Sequence, residues 1–99
     1  MKKTNVSVDE KTVLKSKDIQ YCYIFAMDVP GANIKAHEKV ILESKDPKFC
    51  YWFARDVKKS NKEKLFKVVL ESGDKKYINL FLENVNFNKD KFADYLLFI

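Results

Sequence analysis

The sequence predicts an all-α fold, and within that class a short α-solenoid of about three and a half helix-turn-helix repeats. A shift of 28 residues lays much of the chain on itself, and a fixed period of this size is typical of repeat proteins. The 99 residues include only two glycines and two prolines, and they show little of the apolar-polar alternation that marks strands. Helix-capping residues recur at the ends of the matched segments.

The self-similarity divides a single domain into a leading half-repeat and three repeats. Residues 17–29 match residues 45–57. The match resumes later in the unit, and a third, more divergent copy begins at Gly73. We therefore place the half-repeat at residues 5–16 and the repeats at residues 17–44, 45–72 and 73–99.

Each helix has a predicted start. In the half-repeat, Ser7 and Glu10 have the spacing of a capping box, which indicates that one helix begins there. The first helix of each repeat is expected to follow an aspartate N-cap, as at Asp46. Pro47 then occupies the first helical position, where its missing N–H removes no helical hydrogen bond. This helix is expected to run to about Val57.

The second helix of each repeat follows a turn that ends in asparagine. Asn33 and Asn61 are the predicted N-caps, and the helices should end near Ser44 and Ser72. Gly73 supplies the residue most tolerant of the left-handed conformation that follows a helix end. The result is seven helices of roughly 9 to 12 residues, each too short to persist alone in water. Stacking must therefore stabilise them.

Recurrence between repeats separates residues that build the repeat from residues that are free for function. On a helical wheel, the first helix of repeats one and two has one apolar arc. The predicted core residues are Tyr21, Cys22, Phe25, Ala26 and Val29, with Phe49, Cys50, Phe53, Ala54 and Val57. Cys22 and Cys50 match neither a disulfide framework nor a metal spacing. We interpret them as reduced core thiols, with a redox pair as the alternative.

Two aspartates recur near the ends of the first helices. Asp28 and Asp56 occupy equivalent positions, close to a helix C-terminus, where the helix dipole disfavours an acid. We therefore expect each of them to pair with, or to cap, a group nearby.

Composition and motifs argue against a membrane span, a cofactor, a metal site and an enzyme. No apolar run approaches the roughly 18 to 20 residues that cross a bilayer, and the N-terminus has no apolar signal segment, so we expect a cytoplasmic protein. No phosphate-binding loop, nucleophile motif or cysteine cluster is present in the sequence. The one histidine, His37, is expected to be half-buried at the surface rather than catalytic.

The arc opposite the core is the first candidate binding surface. In repeat two it carries Lys48, Tyr51, Trp52 and Arg55. We expect the column that contains Trp52 to pack against the neighbouring repeat. Tyr23, Tyr51 and Arg55 are expected to be exposed, because tyrosine and arginine presented together combine a large contact area with a polar group, as binding hot spots do. A solvated or packed face is the alternative.

The second candidate surface is basic. The net charge of +5 is uneven, because residues 45–72 alone sum to +4. Five lysines crowd one turn and the helix that follows it: Lys58, Lys59, Lys62, Lys64 and Lys67. The cluster is either a solvated face or a site for an acidic partner, whether a protein surface or a phosphate backbone. The use of lysine with a single arginine argues against nucleic acid, since base readout and bidentate phosphate contacts favour arginine.

The C-terminal segment is unusually apolar for the end of a repeat stack, whose outer face is normally polar. Tyr95, Phe98 and Ile99 are its largest exposed candidates. Either these residues fold back on the preceding helices, or they form a homodimer or partner interface. We expect self-association.

The clearest stretch of the repeat, residues 46–57 with the sequence Asp-Pro-Lys-Phe-Cys-Tyr-Trp-Phe-Ala-Arg-Asp-Val, resembles short helical repeats of uncharacterised bacterial and phage proteins. The resemblance covers nearly the whole chain, implies a repeat fold and brings no catalytic residues. A small basic chain made almost entirely of repeats also resembles phage-encoded inhibitors of bacterial defence complexes, including anti-CRISPR proteins.

The sequence thus predicts a non-enzymatic interaction module that docks on a larger macromolecule. The docking residues are expected to be Tyr23, Lys48, Tyr51 and Arg55 together with Lys58, Lys59 and Lys62. The resemblance implies a protein partner, such as a nucleoprotein defence complex in the cytoplasm of a phage-infected host. Direct nucleic-acid binding through the basic second repeat and a purely structural role are the alternatives.

Overall fold

The computed structural model describes residues 9–97, which form α-helices and one 3₁₀ turn. The helices are α1 (Glu10–Ser16), α2 (Ile19–Asp28), α3 (Ile34–Ser44), α4 (Pro47–Asp56), α5 (Lys62–Ser72), α6 (Lys75–Asn84) and α7 (Ala93–Leu96), with the 3₁₀ turn (Lys89–Phe92) directly before α7. Residues 9–97 contain no strand. The prediction of an all-α fold is confirmed.

The helices pack in two rows. The first helices of the repeats, α2, α4 and α6, contact one another in succession, and α1, α3 and α5 form the second row. The most extensive contacts lie within the hairpins α2–α3 and α4–α5. The molecule is elongated, with extents of 47 × 21 × 19 Å. The narrower assignment as an α-solenoid stays a prediction.

The helix starts recur from one repeat to the next. The side chains of Asp18, Asp46 and Asp74 accept hydrogen bonds from backbone N–H groups in the first turns of α2, α4 and α6. Asn33 and Asn61 cap α3 and α5 in the same way. An N-cap side chain satisfies one of the four N–H groups that a helix start leaves without partners. The predicted starts of these five helices are confirmed.

The junctions that connect repeats share a second set of hydrogen bonds. At each junction a serine hydroxyl donates to the carbonyl three residues earlier and accepts from the backbone N–H of the next capping aspartate; these serines are Ser16, Ser44 and Ser72. The residue between serine and aspartate is left-handed, with φ of 57° at Lys17, 57° at Lys45 and 73° at Gly73. The sequence predicted this conformation at Gly73 only. The lysines adopt it although a side chain makes it less favourable by about 1–2 kcal/mol.

The core runs between the two rows. Its largest fully buried side chains are Phe53, Phe66, Phe81, Ile41, Leu65, His37, Val69, Cys22 and Cys50. Most of the predicted core residues are buried or half-buried. Tyr21 is the exception, because its side chain is 62% exposed. Within the described residues no first helix precedes α2, so nothing in that row covers Tyr21.

Both ends of the chain differ from the predicted pattern. The first helix begins at Glu10 with Asp9 as its N-cap, and Ser7, the predicted cap, lies outside the described residues. In the third repeat the predicted second helix is only a 3₁₀ turn followed by the short α7. The side chain of Phe87, in the turn before it, packs against Phe66 and Phe81 at centroid distances of 4.7 and 5.1 Å. Phe98 and Ile99 lie outside the described residues.

Candidate binding surfaces

Tyr51 is not on the surface, which corrects the first prediction of a binding site. Its side chain is only 4% exposed. Its ring packs against Tyr77 and Phe81 of α6, at centroid distances of 6.1 and 6.2 Å. The sequence prediction gave α4 a core arc and a neighbouring repeat on its Trp52 side, whereas α4 has a neighbour in its own hairpin and one on each side along the row. Tyr51 therefore holds repeats two and three together.

Tyr23 has the equivalent role between repeats one and two. It is half-buried, and its ring packs against Phe49 and Trp52 at centroid distances of 6.0 and 5.9 Å. Its hydroxyl donates a hydrogen bond to the carboxylate of Asp56. Burial, then this hydrogen bond, raises the pKa of Tyr23 to about 12. The expected packing against the neighbouring repeat is confirmed for Trp52, whereas Ile24, at the equivalent position of α2, is 39% exposed.

Asp56 joins these groups at the end of α4. Its carboxylate accepts hydrogen bonds from Nε and Nη2 of Arg55, both at 2.9 Å. These bonds, with a smaller contribution from Tyr23, hold the pKa of Asp56 below its ordinary value although burial opposes the shift. The expectation that Asp56 pairs with a nearby group is confirmed. Its counterpart Asp28 is exposed.

Arg55 and Lys48 are the more accessible members of the predicted stripe. The Arg55 side chain is 42% exposed, and its guanidinium lies 5.2 Å from the ring centroid of Tyr51. Lys48 is half-buried, with its ammonium 5.2 Å from the ring of Trp52. These distances permit cation–π attraction. Both side chains are therefore held on the stack, and the four residues do not form one exposed stripe.

The lysines of the second prediction meet residues that the sequence did not indicate. A groove of about 640 Å³ separates α3 from the start of α5. Five lysines line it, and we call them the lysine groove: Lys35, Lys39, Lys59, Lys62 and Lys64. Lys35 and Lys39 belong to repeat one, whose net charge of −1 gave no sign of a basic surface. Lys35 and Lys39 lie 28 residues before Glu63 and Lys67, so they occupy equivalent positions on the preceding second helix. This equivalence is the sequence signal that could have placed them beside α5.

The two glutamates of the groove bind backbone groups. Glu38 is 7% exposed and accepts a hydrogen bond from the backbone N–H of Asn61. Glu63 accepts from the backbone N–H of Asn88 at 3.2 Å. Both carboxylates thus act as latches that tie one second helix to the turn of the following repeat. Glu63 and Lys67 have the i,i+4 spacing of a surface ion pair, but the carboxylate of Glu63 lies against Asn88 instead.

The lysines predicted from the sequence differ in how exposed they are. Lys58, Lys59 and Lys67 are exposed. Lys62 is half-buried, and its ammonium donates to the carbonyl of Lys58 and the hydroxyl of Ser60, both at 3.1 Å. The other four lysines of the groove are exposed and are therefore the side chains most able to contact an anion: Lys35, Lys39, Lys59 and Lys64.

His37 is fully buried, so the expectation of a half-buried surface residue is wrong. Its Nε2 lies 2.8 Å from Oε2 of Glu10, and its ring stacks on Phe25 at a centroid distance of 5.1 Å. The same Glu10 carboxylate oxygen accepts from the backbone N–H of Asn33 at 2.7 Å. Glu10 thus forms the first latch of the series that Glu38 and Glu63 continue, and His37 adds a side-chain contact to it.

The cysteines lie at equivalent core positions, as predicted. Cys22 and Cys50 are free thiols with 0% exposure. Each Sγ points to a carbonyl of the preceding second helix, that of Val13 at 3.9 Å or Ile41 at 3.8 Å. Burial raises the pKa of Cys22 to about 11 and that of Cys50 to about 12.

The C-terminal end of the described chain exposes apolar groups. Tyr95 and Leu97 are 62% and 79% exposed. Tyr95 borders a groove of about 560 Å³ whose apolar lining comes from Leu70, Ile78 and Phe92. Of the three residues predicted to self-associate, only Tyr95 lies within the described residues.

Comparison with protein-family models, with curated proteins and with solved structures finds no significant match. Among residues 9–97, none of the helices has the length and apolar character needed to span a bilayer.

Proposed function

We propose that this protein is a non-enzymatic binding module whose lysine groove docks on an acidic surface of a larger protein. The observation that carries the proposal is the composition of that groove. Five lysines from α3, from α5 and from the turn before α5 line one cleft, and its two glutamates both accept hydrogen bonds from backbone N–H groups. Five lysines against two glutamates leave the groove with a net charge of +3. A concave site with an excess of one sign of charge attracts partners of the opposite sign.

A protein partner fits this surface better than nucleic acid does. The chain has one arginine, Arg55, and it is paired with Asp56 at the end of α4. The groove therefore presents ammonium groups without the planar fork that recognises phosphate in a bidentate way. A phosphate backbone is the second candidate because clustered lysines also neutralise phosphates.

Charge reversal tests the proposal. The variant Lys39→Glu/Lys64→Glu changes two exposed groove residues, and Lys11→Glu/Lys76→Glu gives the same net charge at exposed positions outside the groove. The wild type and both variants would be used to capture partners from lysate, with quantitative mass spectrometry. We expect the groove variant to lose an acidic protein that the control keeps. Equal capture by both variants would contradict the proposal.

A gel shift with generic single- and double-stranded nucleic acid separates the two partner classes. Phosphate binding would weaken steeply with salt, because each neutralised phosphate releases a counterion. We expect no shift at low salt. A shift that the groove variant abolishes would replace the acidic protein by nucleic acid as the partner.

A narrower form of the proposal follows from the resemblance to phage inhibitors of bacterial defence complexes. An elongated molecule with a charged groove is suited to cover a surface rather than to transform a substrate. Its mechanism would be occlusion of an acidic protein surface within the nucleoprotein complex. Adding the wild type and the groove variant to a purified defence complex tests this: the wild type should block target binding, and equal inhibition by both would exclude the groove.

We also propose that a second copy of the chain covers the C-terminal end. The exposed Tyr95 beside the groove formed by Leu70, Ile78 and Phe92 supports this proposal. Sedimentation velocity at increasing concentration should detect a dimer that Tyr95→Lys dissociates. A monomer at all concentrations would exclude self-association.

A further inference from the structure

The face of α2 that points away from α4 is exposed and apolar. Tyr21 is 62% exposed and Ile24 is 39% exposed. The residues one repeat later, Phe49 and Trp52, are half-buried. The two pairs have similar character, so the difference lies in what covers them.

In repeats two and three, the equivalent face is covered by a tyrosine from the first helix of the preceding repeat. Tyr23 of α2 packs on Phe49 and Trp52 of α4. Tyr51 of α4 packs on the corresponding face of α6, where its ring meets Tyr77 and Phe81. Each contact places a tyrosine of one first helix on an apolar face of the next. The two contacts differ in detail, because Phe81 is equivalent to Phe53 rather than to Trp52, and α6 has Asn84 where α4 has Asp56.

A carboxylate completes the contact between α2 and α4. The hydroxyl of Tyr23 donates to Asp56 at the end of α4. The equivalent residue of α2 is Asp28, which is exposed. Residues 9–97 provide no first helix on this side of α2, because α1 lies in the other row. The face of α2 therefore has residues equivalent to those that contact Tyr23 on α4, namely Tyr21, Ile24 and Asp28. No tyrosine of residues 9–97 packs on this face from a preceding first helix.

We propose that this face binds an α-helix of a partner protein that presents a tyrosine. The tyrosine ring packs on Tyr21 and Ile24, and its hydroxyl donates to the carboxylate of Asp28. The partner helix extends the row of first helices by one member. This docking site is separate from the lysine groove, so it stands or fails independently of the proposed function.

A second copy of this chain does not have the required helix at its other end. On α6, the positions equivalent to Tyr51 and Arg55 are Asn79 and Glu83, both exposed. Stacking α6 of one copy on α2 of another would replace the tyrosine ring by an amide and bring Glu83 toward Asp28. Like charges at close range repel. The polar side of α6 thus disfavours head-to-tail association and leaves the α2 face to a different partner.

A peptide probe tests this site on the full-length protein. The probe is a helix-stapled peptide that copies residues 17–32, which contains Tyr23 in its natural helix, and binding is followed by amide chemical shifts. We expect shift changes centred on Tyr21, Ile24 and Asp28. Tyr21→Lys should weaken binding about tenfold or more. Asn79→Lys, which adds the same charge at an exposed position of α6, is the control and should leave binding unchanged.

A double-mutant cycle tests the hydrogen bond. Two single changes should each weaken binding roughly fivefold to tenfold. One replaces Tyr23 of the peptide by phenylalanine, and the other replaces Asp28 of the protein by asparagine. The two changes together should weaken it little more than either one, because they remove the same interaction. Additive effects would contradict the assigned bond.

Three results would overturn the proposal. The first is the absence of shift changes on α2 with peptide at about 1 mM. The second is binding that appears only after residues 1–8 are deleted, which would mean that this segment covers the face. The third is a dimer that Tyr21→Lys dissociates, which would make a second copy the occupant.

Discussion

At the scale of single residues, the stack decides which side chains are free. Tyr51 was predicted to be exposed and is 4% exposed, whereas Tyr21 was predicted to be core and is 62% exposed. Both errors have one cause, because periodicity identifies an apolar face but not the order of neighbours along a row. The cysteines were predicted correctly, since each faces the preceding helix of the second row. Phe53 is also fully buried, as predicted.

Burial of Tyr23, together with its hydrogen bond to Asp56, gives a pH dependence that Tyr23→Phe removes. Between pH 10 and about 12 the tyrosine ionises in the unfolded chain but not in the fold. The folded state then binds more protons, so stability falls as pH rises through this range. The free energy of unfolding of the wild type should therefore exceed that of Tyr23→Phe below pH 10, and this difference should disappear as the pH rises to about 12.

The Asp56 carboxylate gives the opposite dependence in acid. Its pKa is lowered in the fold, so its stabilisation is present above the ordinary value near 3.8 and is lost as pH falls through the lower, folded value. Urea titrations compare the wild type with Tyr23→Phe in alkali and with Asp56→Asn in acid, because Arg55 is the larger cause of the lowered pKa of Asp56. A difference from the wild type that stays constant with pH in either range would contradict the corresponding sign.

The two thiols should react only when the fold opens. Thiolates are the reactive form, and the pKa values of about 11 and 12 leave little thiolate at neutral pH. Reaction with an aromatic disulfide reagent at pH 8 should be slow for the native protein and fast in guanidinium chloride. Rapid labelling of Cys50 without denaturant would show that it is not buried.

At the scale of helices, the caps were predictable and the latches were not. Aspartate, asparagine and glycine signals are local, so they located most helix ends. Glu38 and Asn61 are separated by most of a repeat, and only the packing of α3 beside the following turn brings them together. Phe87 likewise has no sequence signal for the aromatic contacts that replace a full second helix in repeat three.

The junction residues make a matched pair of substitutions. Lys45→Gly should stabilise the protein by about 1 kcal/mol, because glycine adopts the left-handed conformation without a Cβ clash. Gly73→Ala should destabilise it by about 1 kcal/mol for the same reason. Lys39→Gly, at an exposed position in the middle of α3, is the control and should destabilise by about 1 kcal/mol. A loss of stability in Lys45→Gly would exclude the assigned conformation.

The latch of Glu38 should stabilise the turn that precedes α5. Glu38→Ala leaves the part-buried N–H of Asn61 without its carboxylate, and such losses are about 1–3 kcal/mol. Glu43→Ala changes an exposed glutamate of the same helix and should shift the unfolding midpoint little. Thermal and denaturant unfolding measure both. Equal effects would show that Glu38 contributes no more than a surface charge.

At the scale of the whole molecule, the two rows of helices contribute different surfaces. The row of first helices uses its tyrosines to hold the stack, whereas the row of second helices leaves a cleft in which lysines gather. Sequence alone located the basic repeat through its net charge of +4. It did not locate Lys35 and Lys39, because membership of a groove depends on which helices lie side by side.

Aromatic contacts across repeats test the central claim, that helical hairpins share one interior through their first helices. Nuclear Overhauser effects should connect the ring of Tyr23 to that of Trp52, and the ring of Tyr51 to that of Phe81, in the full-length protein. These pairs are far apart in sequence and meet only if α2, α4 and α6 stack. Absence of both contacts, with the Tyr51 ring accessible to a soluble paramagnetic probe, would contradict the account.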